Sequence, residues 1–230
     1  ALGTAVFSGM IGVTLAGEAL NMAFGGDPMA AGTGPHVIVA VITLLMNWVN
    51  TNGENVLFRV IQESLTDAAA ASGITEPAAQ DQFRKDGTTA FYGNFFFWVN
   101  IIAVLIQAFL VSLIVKYLGL AGVLFALPFT SLGAYGFVAF GVTSLAFVRW
   151  LKTAENAADY SIMNTARQLL WLPTSREEKY KAKQAVDSFF VRLGDLVSAV
   201  VVFVGTTWLA LETRGFALLN VGVVLVWIAL

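Results

Sequence analysis

The 230-residue chain has no cysteine, which excludes disulfides and thiolate-ligated metals and leaves the redox compartment open. Charge is scarce: Asp, Glu, Lys and Arg together make up 12% of the residues, about half the ~25% of an ordinary soluble domain. The net charge of −2 implies nothing about partners, and nothing points to nucleic acid. Histidine occurs once, as His36 after Pro35, at a helix entrance that suits an interfacial position better than a proton relay. There is no G-x-x-x-x-G-K-[ST] phosphate loop, no His/Cys metal cluster and no nucleophile elbow. Hydrolytic and redox chemistry therefore find no constellation, no cofactor is implied, and an enzyme is the least supported class.

What the chain does have is apolar length. Hydrophobic residues are 57% of the whole, with 18 Phe and 6 Trp, and the mean hydropathy is +0.75. FFFWVNIIAVLIQAFLVSLIV (95–115) approaches the ~20 residues that cross a hydrocarbon core, and similar stretches recur. The alternating ~10-residue segments of a transmembrane barrel are missing. The composition predicts an all-α polytopic membrane protein in contact with lipid. The chain begins at Ala1, with no Met and no basic segment ahead of the apolar stretch, which reads as a fragment of a longer protein without a visible signal peptide.

The pattern divides as follows. Segment 1–24 is apolar, rich in small residues and interrupted by Glu18, a spanning or partly buried helix. Residues 25–35 are a Gly/Pro-rich linker. From 36 onward six spans are expected: 36–62, 91–117, 119–141 with a kink at Pro128, 144–172, 184–210 and 215 to the end. A polar loop is expected at 63–90. Counting Lys and Arg only, Lys116, Arg176, Lys179, Lys181 and Lys183 fall on one side, against Arg84, Lys85 and Arg214 on the other. That puts the connector 173–183 in the cytoplasm. The aromatic run FYGNFFFWVN (91–100) reads as an interfacial belt.

Charges within spans are costly and mark functional sites by default. In 148–171, Arg149, Lys152, Glu155, Asp159 and Arg167 fall within an arc of roughly 120° at ~100° per residue, with Asn156 and Tyr160 on or beside it. Such a stripe cannot face lipid; it lines an aqueous cavity or pairs with other helices. In 46–60, Asn47, Asn50, Thr51 and Glu54 share about 100°, with Gly53 among them as a point where the helix loosens. Arg59 lies about 120° or more from that group. In 185–199, Asp187, Ser188, Arg192, Asp195 and Ser198 occupy about 140°, with Gly194 permitting close helix approach; Arg192 and Asp195 suit a structural or gating pair. For any one of these residues a structural salt bridge is as good an account as a binding role. Three helices with polar stripes are better explained together by a solute pathway.

The stretch AENAADYSIMNTARQLLWLPTSREEKYKAKQAVDSFFVRLGD (154–195) resembles the corresponding part of the ATP/ADP translocase family, the nucleotide transporters of plastids and intracellular bacteria. NWVNTNGENVL (47–57) looks like that family's seventh helix, and SLIVKYLGLAGVLF (112–125) is similar to the loop between its eighth and ninth. The resemblance covers roughly 36–230. It implies the C-terminal half of a twelve-helix, major-facilitator-like carrier, working by alternating access against an N-terminal six-helix half in a bacterial inner membrane or plastid envelope. It also implies a nucleotide or related organic anion as solute, moved by ATP/ADP exchange or with protons. Candidate roles follow: Arg149, Lys152 and Arg167 for phosphate oxygens, Glu54, Glu155 and Asp159 to neutralise them or carry a proton, and Asn47, Asn50 and Asn156 for sugar or base. The alternative from another class is a carrier-derived scaffold or accessory subunit of a larger membrane complex, with 149, 152, 155 and 159 buried and mutually paired.

Overall fold

The computed structural model describes residues 34–170, Leu172, Lys183 and 186–230. The apolar segment 1–24, residues 25–33 of the linker, nearly all of the connector 173–183 and the side chain of His36 lie outside the described residues.

Among the described residues every regular element is helical. Helix α1 spans Gly34–Ala71 and α2 spans Pro77–Leu105. A π-helical turn at Ile106–Leu110 leads into α3, Val111–Ala139. Helix α4, Leu145–Ala158, passes through a second π-helical turn, Asp159–Met163, into α5, Asn164–Leu170. A third such turn, Val186–Phe190, precedes α6, Val191–Thr207, and α7 is Thr213–Ala229. The helical run Pro77–Ala139 and the run Val186–Thr207 are each long and apolar enough to cross a bilayer; α7 is apolar but shorter.

The polar stretch 63–90 differs from the expected loop, because helices run through most of it. Its TDAAAA segment is polar only at its start and is dominated by the best helix former, so α1 continues to Ala71. At ~1.5 Å per residue α1 is roughly 57 Å long, well beyond the ~30 Å apolar thickness of a bilayer. Gly73 ends it with φ +71°. The Gly73 N–H bonds to the Ala70 carbonyl and the Ile74 N–H to that of Ala69, each at 3.1 Å, the two bonds of a Schellman stop. Pro77 then opens α2 at its first turn, where the missing N–H costs nothing.

The boundary between the second and third expected spans falls on one glycine. Gly119 has φ 64° and ψ −158°, a region closed to residues with a Cβ. A Cβ on Gly122 would lie 3.2 Å from Ile114 Cγ2, although eight residues in a straight helix are roughly 12 Å apart. The chain therefore folds back at Gly119. Pro128 produces no comparable break: within α3 only Gly119 leaves helical dihedrals, since proline there removes one hydrogen bond, to the carbonyl of residue 124.

Helix α1 is the centre of the bundle, packed by α2, α4, α6 and α7, while α3 packs on α4 and α7. The core along it is divided. One apolar cluster holds Met46, Val49, Val123, Leu127, Met163 and Trp227. A second holds Val56, Leu57, Ile61, Phe95, Val138 and Phe216, and a small third joins Val39 and Ala40 to Val186 near the start of α1. Between Val49 and Val56 the sequence of α1 reads Asn-Thr-Asn-Gly-Glu-Asn, residues 50–55. At the matching height lie Ser131 on α3, Lys152, Glu155 and Asn156 on α4 and Asn220 on α7, all buried. The outside is the reverse: Phe97, Val104, Phe109, Phe129, Phe203 and Leu225 are exposed. An apolar exterior around a polar middle layer inverts the usual arrangement of a water-soluble domain.

Candidate functional site

Lys152 is the hub of the polar layer. Its Nζ lies 2.8 Å from Glu155 Oε2 and 3.5 Å from Glu54 Oε1, and donates to Asn50 Oδ1 at 3.0 Å. The Lys152 and Glu155 side chains are each 3% exposed, whereas Glu54 is 33% exposed. A buried ion pair persists only when its remaining lone pairs and protons are satisfied. Glu155 meets that condition, because Tyr135 donates to Oε2 at 2.6 Å and Ser131 donates to Oε1 at 2.7 Å. Glu54 is held more loosely, accepting from Asn156 Nδ2 at 3.1 Å. The contact group thus has two carboxylates to one ammonium.

Gly53 lets α1 approach this group. A Cβ there would lie 1.8 Å from the Tyr135 hydroxyl and 2.8 Å from Lys152 Nζ. The helix is continuous through Gly53, so the glycine does not loosen α1 as expected. It provides room for the side chains that bridge α1, α3 and α4.

A second polar tie fixes α7. Asn52 Nδ2 donates to Asn220 Oδ1 at 2.7 Å, and Asn220 Nδ2 donates to the Val49 carbonyl at 3.0 Å. Asn52 Nδ2 also reaches the Phe216 carbonyl at 3.3 Å, so the two amides tie α1 to α7 through each other and two backbone carbonyls, while Asn52 Oδ1 is left without a partner among the described residues.

The stripe expected on 148–171 is divided between neighbours. Lys152, Glu155 and Asn156 meet α1 and α3, with Glu54 and Asn50 opposite. Arg149 turns instead to α2: it donates to Asn94 Oδ1 and lies over the rings of Phe91, at 5.8 Å, and Trp150, at 5.5 Å. Asp159 and Arg167 are half-buried further along, and neither makes a salt bridge within 4 Å among the described residues. Asn47, two turns before Glu54 on α1, is not bonded to the group; its Nδ2 donates to the Thr43 carbonyl of its own helix at 2.7 Å. On α6, Asp195 accepts from Thr51 at 2.8 Å, while Arg192, 85% exposed, is 3.9 Å from it. Asp187 is exposed. Gly194 is pressed against α1, where an added Cβ would lie 2.8 Å from both the Leu44 carbonyl and Asn47 Cβ.

Ser131, Tyr135, Asn52 and Asn220 were not among the residues singled out from the sequence. Ser131, Tyr135 and Asn220 are polar side chains in otherwise apolar runs, and that was the available signal; Asn52 sits inside the polar run 50–55, on a different face from Asn50 and Glu54. Among the described residues no three His, Asp or Glu side chains are grouped to hold a metal ion.

Taken together, the arrangement is a buried, charge-paired layer inside an apolar-faced bundle. Comparison with known proteins adds one relative. The chain is distantly similar to an ADP,ATP carrier. It is 28% identical over 130 residues to ADP,ATP carrier protein 1 of Chlamydia pneumoniae, a match that takes in 48% of this chain and 25% of the relative. The matched part is thus about a quarter of the length of that carrier. No protein-family model matches the chain, and no solved structure matches it.

Proposed function

We propose that this chain is the membrane-embedded C-terminal half of a secondary transporter, moving nucleotides or a related organic anion by alternating access against an N-terminal six-helix half. The observation that carries the proposal is the Glu54–Lys152–Glu155 group. Ionisable side chains are expensive at the depth of apolar helices and are retained there for pathways and coupling sites. Major-facilitator-like carriers place such groups near the midplane, at the interface of two halves, and the layer here lies midway between two apolar clusters of one half. The similarity to an ADP,ATP carrier supports the solute class.

In this mechanism Glu54 and Glu155 hold Lys152 neutralised while no solute is bound. An entering phosphate competes with Glu54, the more exposed and less fully bonded of the two carboxylates, for the ammonium. Glu155 stays fixed by Ser131 and Tyr135 and keeps Lys152 in place. Arg167 and Arg149 add positive charge along the same helix pair, and Asp195, through Thr51, ties α6 to α1 at the level where the halves must move. The proposal places the protein in a bacterial inner membrane with the connector 173–183 cytoplasmic.

The test is uptake of radiolabelled ATP by proteoliposomes holding the full-length protein, with ADP or a proton gradient on the opposite side. Saturable uptake is expected, with Lys152→Ala lowering it by roughly tenfold or more, as loss of a charge-assisted contact does. If no nucleotide is bound or moved, and Lys152→Ala and Arg167→Ala leave uptake of every other anion unchanged, the proposal fails.

One observation favours the scaffold reading instead: Lys152 and Glu155 already spend their charges on each other. In that case the full-length protein would purify with a stable membrane partner, and Lys152→Ala would weaken that complex with no transport activity to lose.

A further inference from the structure

The face of α1 that carries Glu54 continues, at four-residue spacing, through Phe58 and Gln62. None of the three is buried. Opposite them, Asp81, Arg84, Lys85, Thr88 and Thr89 fall at positions i, i+3, i+4, i+7 and i+8 of α2 and so share one face. Together with Phe58 and Gln62 they line an open groove of about 480 Å³. One bond ties its two walls: Gln62 Nε2 donates to Thr88 Oγ1 at 2.9 Å. By helical rise the groove lies roughly 6–12 Å along α1 from Glu54. It is on the far side of the polar layer from the connector, since Val186 packs with Val39 and Ala40 near the other end of α1.

Residues 63–90 are acidic as a whole, with Glu63, Asp67, Glu76, Asp81 and Asp86 against Arg84 and Lys85. The fold sorts these charges. Both cations line the groove, and Asp81 is the one acid among the lining residues. Glu63 accepts from Thr213 of α7 at 3.1 Å, Asp86 accepts from Gln82 at 2.9 and 3.0 Å, and Asp67 lies roughly 140° round α1 from Gln62. Arg84 does pair with Asp81, but the two side chains are 38% and 59% exposed. Exposed pairs of this kind are weak, so an arriving anion can draw Arg84 from its neighbour. Lys85 makes no salt bridge among the described residues. Phe58, itself exposed, gives the groove an apolar end toward the polar layer.

We infer that this groove binds a phosphate ester, with the phosphate held by Arg84 and Lys85 and the ring or apolar part of the same molecule against Phe58. Guanidinium and ammonium groups side by side suit phosphate oxygens, and the nearby ring suits what the phosphate carries. Two compounds have this chemistry at this height. One is a nucleotide in a first station outside the polar layer, in line with Glu54 but short of Lys152; this case rests on the proposed function. The other is an anionic phospholipid, whose headgroup lies near the edge of the ~30 Å apolar thickness; this case does not.

Two measurements on the full-length protein separate the sources. The first is ATP uptake in vesicles of phosphatidylcholine alone, where no anionic lipid competes. The second is thermal stabilisation in detergent by added phosphatidylglycerol, with phosphatidylcholine as control. If the groove takes the nucleotide, the double variant Arg84→Gln/Lys85→Gln raises KM for ATP by roughly tenfold with little change in maximal rate. If it takes the lipid, the double variant loses the stabilisation by phosphatidylglycerol and its uptake is unchanged. Asp81→Asn, which frees Arg84, should shift the affected quantity about threefold the other way, a gain that misfolding does not produce. Salt at about 1 M should remove these differences, because exposed charges are then screened within ~3 Å. A double variant that matches the wild type in both measurements overturns the inference and leaves the transport proposal standing. A wild type that moves no nucleotide overturns the transport proposal, and the phosphatidylglycerol measurement alone then decides the groove.

Discussion

Two cations are enclosed by this bundle in different ways. Lys152, in the middle layer, is held by two carboxylates, an amide oxygen and a phenol. Arg59, about one turn along α1 from the end of the layer at Asn55, has no carboxylate within salt-bridge distance among the described residues. It donates to Thr206 Oγ1 at 2.7 Å, reaches Asn55 Oδ1 and the Leu211 carbonyl at 3.4 Å each, and lies 4.6 Å above the Phe216 ring. Arg59 is partly exposed and fastens the turn between α6 and α7, where neutral dipoles and a ring face are enough. Lys152 is cut off from solvent and requires opposite charge. The comparison teaches that position along α1, more than residue type, decides how a cation must be neutralised.

The largest effect is expected from breaking the buried pair. Lys152→Met leaves Glu155 buried without its cation, and loss of about 3–5 kcal/mol of stability is expected, read as a fall in the melting temperature of the detergent-solubilised protein. Adding Glu155→Gln should recover a substantial part of that loss, because the stranded charge is gone. If the double variant is no more stable than Lys152→Met, the pair is not what holds the layer.

Next comes Gly53→Ala, which drives a methyl into the Tyr135 hydroxyl and should cost about 1–3 kcal/mol, as overpacking does. Combined with Tyr135→Phe, the loss should be smaller than the sum of the two single changes, since the sites share one contact. Additivity would mean that Gly53 does not act through Tyr135.

At the other end of the comparison, Arg59→Lys keeps the charge but loses the planar fork over Phe216. A cost of about 1 kcal/mol is expected, and under the proposed function the uptake of nucleotide should be unchanged. A fall in uptake as large as that expected from Lys152→Ala would erase the distinction between the two regions. Smallest is Arg192→Ala, whose side chain is 85% exposed at 3.9 Å from Asp195. Stability should stay within roughly 0.5 kcal/mol of wild type.

Much of the helical architecture was legible in advance because apolar length and period are local properties. The break at Gly119 was marked by KYLG, and the facing of Lys152, Glu155 and Asn156 by their spacing on a ~100° wheel. The helical character of 63–90 was not, because hydropathy reports burial while Ala-rich polar residues form helix without it. The separation of Arg149 from Lys152 was missed for another reason: one stripe on α4 faces α2 on one side and α1 on the other, and a wheel does not show where neighbours stand.

By itself the sequence determined the helical class, the run of apolar segments and the presence of charge inside them, since each depends on residues near one another in the chain. Only the tertiary structure decided that Glu155 is anchored while Glu54 is held more loosely, that Tyr135 requires a glycine at 53, and that Asn52 donates to Asn220 across the bundle. Those facts depend on side chains from helices as much as 168 residues apart meeting at one height, and hydrogen-bond satisfaction in a buried layer is settled only when all of its partners are in place.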